Sequence, residues 1–278
     1  MSANNQDFFE ALNSNQKQHW VRGVISSNVF AWIDNLFLIL FPEVAIEVAQ
    51  LKSLWLENKT DLFLILSKIN PEKSETEILE ITESIFTEIP EIYQNLQLDA
   101  EAMLNTDPAA DCISEIINSY PGFLAIAFYR IAHVIDENNV RMIPRIIAEY
   151  AHSKTGIDIH PKATIGVPFV IDHGTGVVIG ETAVIGKNVS IYQGVTLGAL
   201  QVEKSMKEKK RHPTLEDNVV IYANATILGG STIVGNHSVI GGNTFVTKSI
   251  NPYSMVMQSS KNNIINDINS LDINIFSI

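Results

Sequence analysis

Cysteine and basic residues are scarce in this sequence of 278 residues. Its one cysteine, Cys112, excludes an internal disulfide and fits a reducing compartment. The 19 lysines and arginines are outnumbered by 31 acidic residues, and the formal net charge is -12. A chain of this charge lacks the basic surface on which nucleic-acid binding depends. We therefore expect a cytoplasmic protein that binds no nucleic acid.

Long apolar runs and the features of a signal peptide are also missing. The first residues, Met1 to Asp7, are polar and lack both a basic region and an apolar core. The most apolar stretch, Val24 to Phe41, is interrupted by serines, asparagines and an aspartate. A membrane span needs about 20 nearly uninterrupted apolar residues. This stretch therefore predicts a buried helix, and we expect no association with a membrane.

The first ~150 residues have the apolar spacing of helices. Isoleucines recur every three or four positions between Ile78 and Ile89, opposite a glutamate-rich face. Asn70 followed by Pro71 predicts a helix start, with the asparagine as the cap. Further helix boundaries are predicted at Pro90, Pro121, Pro144 and in the turn 136–139.

From about residue 157 the apolar period changes to six. Such hexapeptide repeats form one short strand and one turn each, and three strands close a triangular coil with the aliphatic side chains inside. Neither a helix nor an isolated strand has this period. The aliphatic positions are Ile159, Ile165 and Ile171, then Ile179, Ile185, Ile191 and Leu197, then Leu215, Ile221, Ile227, Ile233, Val239 and Phe245.

These two periods predict an α+β fold with three parts. An all-α domain over residues 1–154 precedes a left-handed parallel β-helix over residues 155–250, and residues 251–278 form a tail. The open ends of a β-helix need covering, so we expect the helical domain and the tail to act as caps.

Two segments depart from the repeat. The first, Asp172–Gly176, lies in a two-residue slip between Ile171 and Ile179. The second, Ala199–Pro213, is densely charged and predicts a loop extruded from the coil. Loops that leave a rigid repeat are common places for function.

His173 is the sharpest candidate for catalysis, because it lies in the first irregular segment beside Asp172 and glycines. Asp158 precedes it by 15 residues, a spacing that would place the two on adjacent turns of the coil. A carboxylate behind an imidazole fixes its tautomer, as general-base catalysis requires. The alternative is a corner histidine that only bonds the backbone.

Arg211 and His212 end the extruded loop. Arginine suits carboxylate recognition, because its guanidinium donates two parallel hydrogen bonds. The alternative is a basic loop hinge. A zinc centre is not expected, because no two histidines of the repeat region lie within five residues of each other.

The motifs around these residues resemble the serine O-acetyltransferases, which begin cysteine biosynthesis from serine. The resemblance covers about residues 95–250. It rests on Asp107-Pro-Ala109, Gly122-Phe123, Tyr129–His133, Asp158–Pro161, Ile171–Gly176, Gly180–Ile185, Gln193–Gly198 and Arg211-His-Pro213.

The resemblance implies a direct transfer of acetyl from acetyl-CoA to the hydroxyl of L-serine. His173, oriented by Asp158, would accept the hydroxyl proton and later protonate the CoA thiolate. Asp107 and Asp172 match acidic residues that contact serine.

The resemblance also implies an oligomer. Arg211 and His212 match residues that hold the serine carboxylate from a neighbouring subunit, so we expect a homotrimer or a hexameric dimer of trimers. Gly198 and Ala223 match positions that line the CoA groove. The loop after Gly198 is longer and more charged than in well-known members, which leaves its CoA contacts open.

Ile278 implies one further partner, because a C-terminal isoleucine in many members binds O-acetylserine sulfhydrylase. An ordinary chain end is the alternative. For the whole chain, two other functions stay open: another hexapeptide acyltransferase that acts on a sugar or an amine, and a β-helix scaffold without catalysis.

Overall fold

A computed structural model describes residues 3–19, 26–200 and 209–259 of the chain. In these ranges, seven helices precede fourteen short strands. None of the helices found there is both long and apolar enough to traverse a bilayer. The helices are α1 (Ala3–His19), α2 (Ser26–Leu40), α3 (Val48–Ile69), α4 (Glu75–Thr106), α5 (Ile113–Ser119), α6 (Pro121–Glu137) and α7 (Ile143–Thr155).

The helix start predicted at Asn70 and Pro71 is wrong, because α4 begins at Glu75. Asn70 instead ends α3, and its N–H donates to the Leu66 carbonyl. Ser74 caps α4 in a reciprocal pair with Glu77, in which the Ser74 hydroxyl oxygen accepts the Glu77 N–H and the Glu77 carboxylate accepts the Ser74 N–H. Two capped N–H groups outweigh the single cap that Asn70 would supply.

The other helix boundaries were partly right. Pro121 and Pro144 lie in the first turns of α6 and α7, and the turn 136–139 separates those two helices. Pro90, however, lies inside α4 and does not end it. Buried isoleucines before and after Pro90 hold both halves of this helix against the same core.

The strands wind into a coil with three faces, which confirms the predicted β-helix. Sheet topology is β1-β4-β7-β10-β13 on the first face, β11-β8-β5-β2 on the second and β14-β12-β9-β6-β3 on the third, and every pairing is parallel. The strands are β1 (Asp158–Ile159), β2 (Thr164–Ile165), β3 (Phe169–Asp172), β4 (Val178–Ile179), β5 (Val184–Ile185), β6 (Val189–Tyr192), β7 (Thr196–Gly198), β8 (Thr214–Leu215), β9 (Val220–Ile221), β10 (Thr226–Leu228), β11 (Ile233–Val234), β12 (Val239–Ile240), β13 (Phe245–Val246) and β14 (Met255–Val256).

The predicted inward positions are confirmed as far as Ile227 and are wrong beyond it. Leu215 is aligned with Val234 and Ile227 with Val246, so paired positions lie 19 residues apart in this coil. The segment with Gly229 contains one extra residue, and Gly229 has a φ of 103°. The predicted Ile233 and Phe245 are therefore exposed, at 42% and 70%. The side chains that point inward there are Val234, Ile240 and Val246.

A buried ion pair joins the helices to the first coil. The Arg130 guanidinium donates to both oxygens of Asp99, at 2.7 and 2.8 Å. Asp99 also accepts the main-chain N–H of Phe169, at 2.8 Å, and Arg130 donates to the carbonyl of Gly166. The carboxylate is therefore held by α6 and by the coil together.

Gly122 lets α6 approach the coil closely. A Cβ atom added at Gly122 would lie 2.1 Å from the carbonyl oxygen of Ile171 in β3. No side chain fits at that distance, so glycine sets how near Tyr120 comes to the end of β3.

Candidate functional site

His173 lies in the turn that joins β3 to β4, here named the β3–β4 corner. Its φ of 55° is left-handed, and Gly174 and Gly176 beside it also have positive φ. A Cβ at Gly174 would lie 2.4 Å from Cδ1 of Ile157, so the turn packs directly against the entry to β1. The imidazole points outward, with 71% of its side chain exposed.

Asp172 lies beside this imidazole, and Asp107, which is bonded by Tyr120, is near enough to interact with it electrostatically. Oδ1 of Asp172 lies 3.9 Å from Nε2 of His173. Asp107 ends α4, and its carboxylate accepts the Tyr120 hydroxyl at 2.6 Å and the Ala109 N–H at 2.8 Å. The structure thus brings together three of the predicted residues: Asp107, Asp172 and His173.

The hydrogen bond from Tyr120 tunes both of its partners. It is the largest cause that lowers the pKa of Asp107, followed by the Ala109 N–H, and a protonated His173 acts in the same direction. The same bond raises the pKa of Tyr120 to about 12. These hydrogen bonds therefore favour the anionic form of Asp107, within electrostatic reach of His173.

Asp158 lies at the start of β1, next to the β3–β4 corner, and its N–H donates to Val177. No hydrogen bond or ion pair joins the described side chains of Asp158 and His173. The proposed orienting role of Asp158 therefore stays a prediction.

Arg211 and His212 lie beside the turn that joins β4 to β5, here named the β4–β5 corner. The Arg211 guanidinium donates to the carboxylate of Glu181, which also lies 3.6 Å from Nζ of Lys162. His212 is buried and hydrogen-bonds Thr182. Both residues are therefore held firmly by the preceding coil.

The two corners lie at opposite ends of the face that carries β4. His173 precedes this strand, whereas Glu181 and Thr182, which hold Arg211 and His212, follow it. The two predicted groups are therefore presented on different edges of one coil.

Gly198 and Ala223 also lie at opposite ends of this sheet. Gly198 ends β7, where an added Cβ would lie 2.7 Å from Cδ2 of Leu228. Ala223 lies in the turn after β9, and its carbonyl accepts the Asn243 N–H at 2.9 Å. Residues 201–208, in the middle of the predicted loop, lie outside the described residues.

Several residues at these corners were not predicted from the sequence. Tyr120, Glu181 and Thr182 contact the predicted residues directly, and Tyr192 pairs with Asp172 between β6 and β3. The 20-residue spacing of Asp172 and Tyr192 could have revealed their pairing, because the first coil has that length. Among the described residues, no group of three or more His, Cys, Asp or Glu side chains could hold a metal ion.

Comparison with known proteins gives one consistent family. The family described as "Serine acetyltransferase, N-terminal" matches residues 54–127. A plasmid-encoded serine acetyltransferase of Synechococcus elongatus is 52% identical over 152 residues, which are 53% of this chain and 48% of the relative. The serine acetyltransferase of Bacillus subtilis is 45% identical over 133 residues, 48% of this chain and 59% of the relative. The chain thus spans about half the length of the curated relatives that it matches.

Solved structures match over more of their length. Serine acetyltransferase 1 of Entamoeba histolytica, in complex with L-cysteine, matches with a TM-score of 0.74 and 36% identity. The match covers 85% of this chain and 88% of that protein's chain. Serine acetyltransferase isoform 3 from the same organism, in complex with cysteine, matches with a TM-score of 0.75 and 31% identity. This match covers 97% of this chain and 98% of that protein's chain.

Proposed function

Since the chain belongs to the serine acetyltransferase family, we propose that it transfers acetyl from acetyl-CoA to the hydroxyl of L-serine. The products are O-acetyl-L-serine and CoA. The observation that carries this proposal is the grouping of Asp107 and Asp172 beside the exposed imidazole of His173. This arrangement offers a base next to a site for a cation, which suits an amino acid with a hydroxyl.

The transfer uses His173 as the base. An imidazole nitrogen accepts the hydroxyl proton while the serine oxygen attacks the thioester carbonyl carbon. The resulting tetrahedral intermediate collapses, the carbon–sulfur bond breaks, and the imidazolium protonates the thiolate of CoA. Positioned base catalysis of this kind contributes ~10²–10⁴-fold to the rate. Asp158 orients the imidazole in this proposal.

Charge complementarity assigns the two ends of serine. Asp107 and Asp172 suit the ammonium group, and Arg211 with His212 suits the carboxylate. Because these pairs lie on different edges of one coil, one site needs a corner from each of two chains. We therefore propose a homotrimer, which can pair further into a dimer of trimers.

The same reasoning extends to the co-substrate. Gly198 and Ala223 lie at opposite ends of one sheet, so we propose that acetyl-CoA lies in a groove between neighbouring chains, with Gly198 from one and Ala223 from the other. Small residues there leave room for the pantetheine arm. A cytoplasmic location, where acetyl-CoA is available, completes the proposal.

Release of free thiol from acetyl-CoA tests the reaction. We expect serine-dependent release by the full chain and a loss of ~10²-fold or more in His173→Ala. His237→Ala is a matched control, because His237 is also an exposed corner histidine with a left-handed φ, of 54°. Equal rates for the full chain and His173→Ala would refute the assignment of His173 as the base. Release that depends on a sugar or an amine instead of serine would favour the alternative acyltransferase, and no release would favour a scaffold.

The sulfhydrylase partner is a separate proposal. It rests on Ile278, which lies outside the described residues. O-acetylserine sulfhydrylase should be retained by the immobilised chain and lost when Ile278 is deleted. Equal retention by both would reject this partner site.

A further inference from the structure

The hydroxyl of Thr182 makes three contacts with the segment that carries Arg211 and His212. Its oxygen accepts the main-chain N–H of Arg211 at 2.9 Å and that of His212 at 3.0 Å. It also lies 2.9 Å from Nδ1 of the His212 ring. A hydroxyl has one donor and two acceptor lone pairs. With both lone pairs used, its proton is the group left to bond Nδ1.

A second donor reaches the same ring nitrogen. The main-chain N–H of Thr182 donates to Nδ1 of His212 at 3.0 Å. Because an amide N–H can only donate, Nδ1 must carry its lone pair rather than a proton. A neutral imidazole with a bare Nδ1 carries its proton on Nε2.

The charges around His212 favour this neutral form. Burial is the largest cause that lowers its pKa to about 4, followed by the positive charges of Arg211 and Lys210. Glu181 opposes this shift, and His160 adds to it weakly. A proton on Nδ1 would also face the N–H of Thr182 and lose the bond just described.

His173 differs from His212 in its exposure and in the hydrogen bonds to its ring. Its side chain is 71% exposed, and the described part of the chain places no hydrogen-bond donor on either ring nitrogen. The ring nitrogens of His173 are therefore open to a hydrogen bond from a substrate hydroxyl, whereas Nε2 of His212 already carries a proton.

We propose that Thr182 is a positioning residue that fixes His212 as a neutral Nε2–H donor. His212 then donates to an acceptor oxygen of the substrate, and base catalysis falls to His173 alone. The substrate part of this inference rests on the proposed function. The position of the proton on His212 does not depend on it.

The tautomer is measured directly by NMR on the full chain with ¹⁵N-labelled histidine, with the His212 signals assigned through His212→Gln. We expect His212 to show the Nε2–H pattern and no titration between about pH 5 and pH 8, where an unperturbed imidazole titrates. An Nδ1–H pattern, or titration in this window, overturns the proposal without any variant of Thr182.

Kinetics test the role of the hydroxyl. Thr182→Val keeps the shape and the main-chain N–H but leaves the part-buried N–H groups of Arg211 and His212 without their acceptor. We therefore expect KM for serine to rise about tenfold or more, with a smaller change in kcat. Thr182→Ser should restore KM to within about threefold. Thr164→Val, at an exposed position of β2, is the matched control and should behave as wild type.

These outcomes separate the inference from the proposed function. If Thr182→Val keeps the wild-type KM and the wild-type His212 spectrum, Thr182 does not position the ring. If the wild-type chain releases no thiol with serine, the proposed function fails, and the NMR result still decides where the His212 proton lies.

Discussion

Replacing Asp99 with alanine should destabilise the junction between the helices and the coil. Asp99 is fully buried, and Arg130 is nearly so. The carboxylate accepts two hydrogen bonds from the guanidinium and one from the N–H of Phe169. Its removal leaves a buried cation and a buried N–H without their acceptor.

The expected loss is large compared with the stability of a domain. Removing one partner of a buried ion pair costs about 3–5 kcal/mol, mostly because the other charge stays buried. A whole domain is stable by only about 5–15 kcal/mol. We therefore expect Asp99→Ala to lower the melting temperature by about 10 °C. The double variant Asp99→Ala with Arg130→Met removes the stranded charge and should be more stable than Asp99→Ala alone.

Urea unfolding at one fixed protein concentration measures these differences. Tryptophan fluorescence follows the helical region, because Trp20, Trp32 and Trp55 all precede the coil. Glu149→Ala is the matched control, since Glu149 pairs with Arg145 on the exposed surface of α7 and its loss should cost less than about 1 kcal/mol. A loss in Asp99→Ala no larger than that of the control would refute the reasoning.

Three further predictions concern Gly122, the register of the coil and the Tyr120 hydroxyl. Gly122→Ala should cost about 1–3 kcal/mol in urea unfolding and raise KM for serine, because its Cβ would push α6 away from Ile171. Ile240→Ala should cost about 2–5 kcal/mol, and the exposed Ile233→Ala less than about 1 kcal/mol; the reverse order would contradict the observed register. The Tyr120 hydroxyl lowers the pKa of Asp107 in the folded chain, so Tyr120→Phe should raise that pKa. The stability lost in this variant should be seen at neutral pH and should vanish as pH falls through the folded pKa of Asp107. Unfolding curves at several pH values check this, and a loss that persists at the lowest pH would contradict it.

The coil was predictable because its cause is local and repeated. Each buried aliphatic residue as far as Ile227 marks one face, and six residues are needed to reach the next. The register beyond Ile227 was missed because Ile233 and Val234 are both aliphatic, as are Val239 and Ile240. Periodicity alone cannot choose between two adjacent aliphatic residues when a glycine turn gains one residue.

The site was predictable in its residues but not in their contacts. Asp107 and Asp172 come from a helix end and a strand end, and the close approach at Gly122 brings α6, with Tyr120 at its start, to the end of β3. Such a meeting depends on tertiary packing over long sequence separation. Likewise, the contact of Thr182 with His212 depends on how many residues the intervening segment adds to the coil.

The segment between β7 and β8 can change in length without disturbing the coil. Paired positions on this face are 18 residues apart before it, as in Ile179 and Leu197, and 30 apart across it, as in Leu197 and Ile227. The strands on both sides keep parallel pairing, so the added length leaves the core register intact. Closing a longer loop costs only about 0.6 kcal/mol for each doubling of length. The length and composition of this segment are thus free to diverge between relatives, or to be redesigned, while Thr182 returns Arg211 and His212 to the same place.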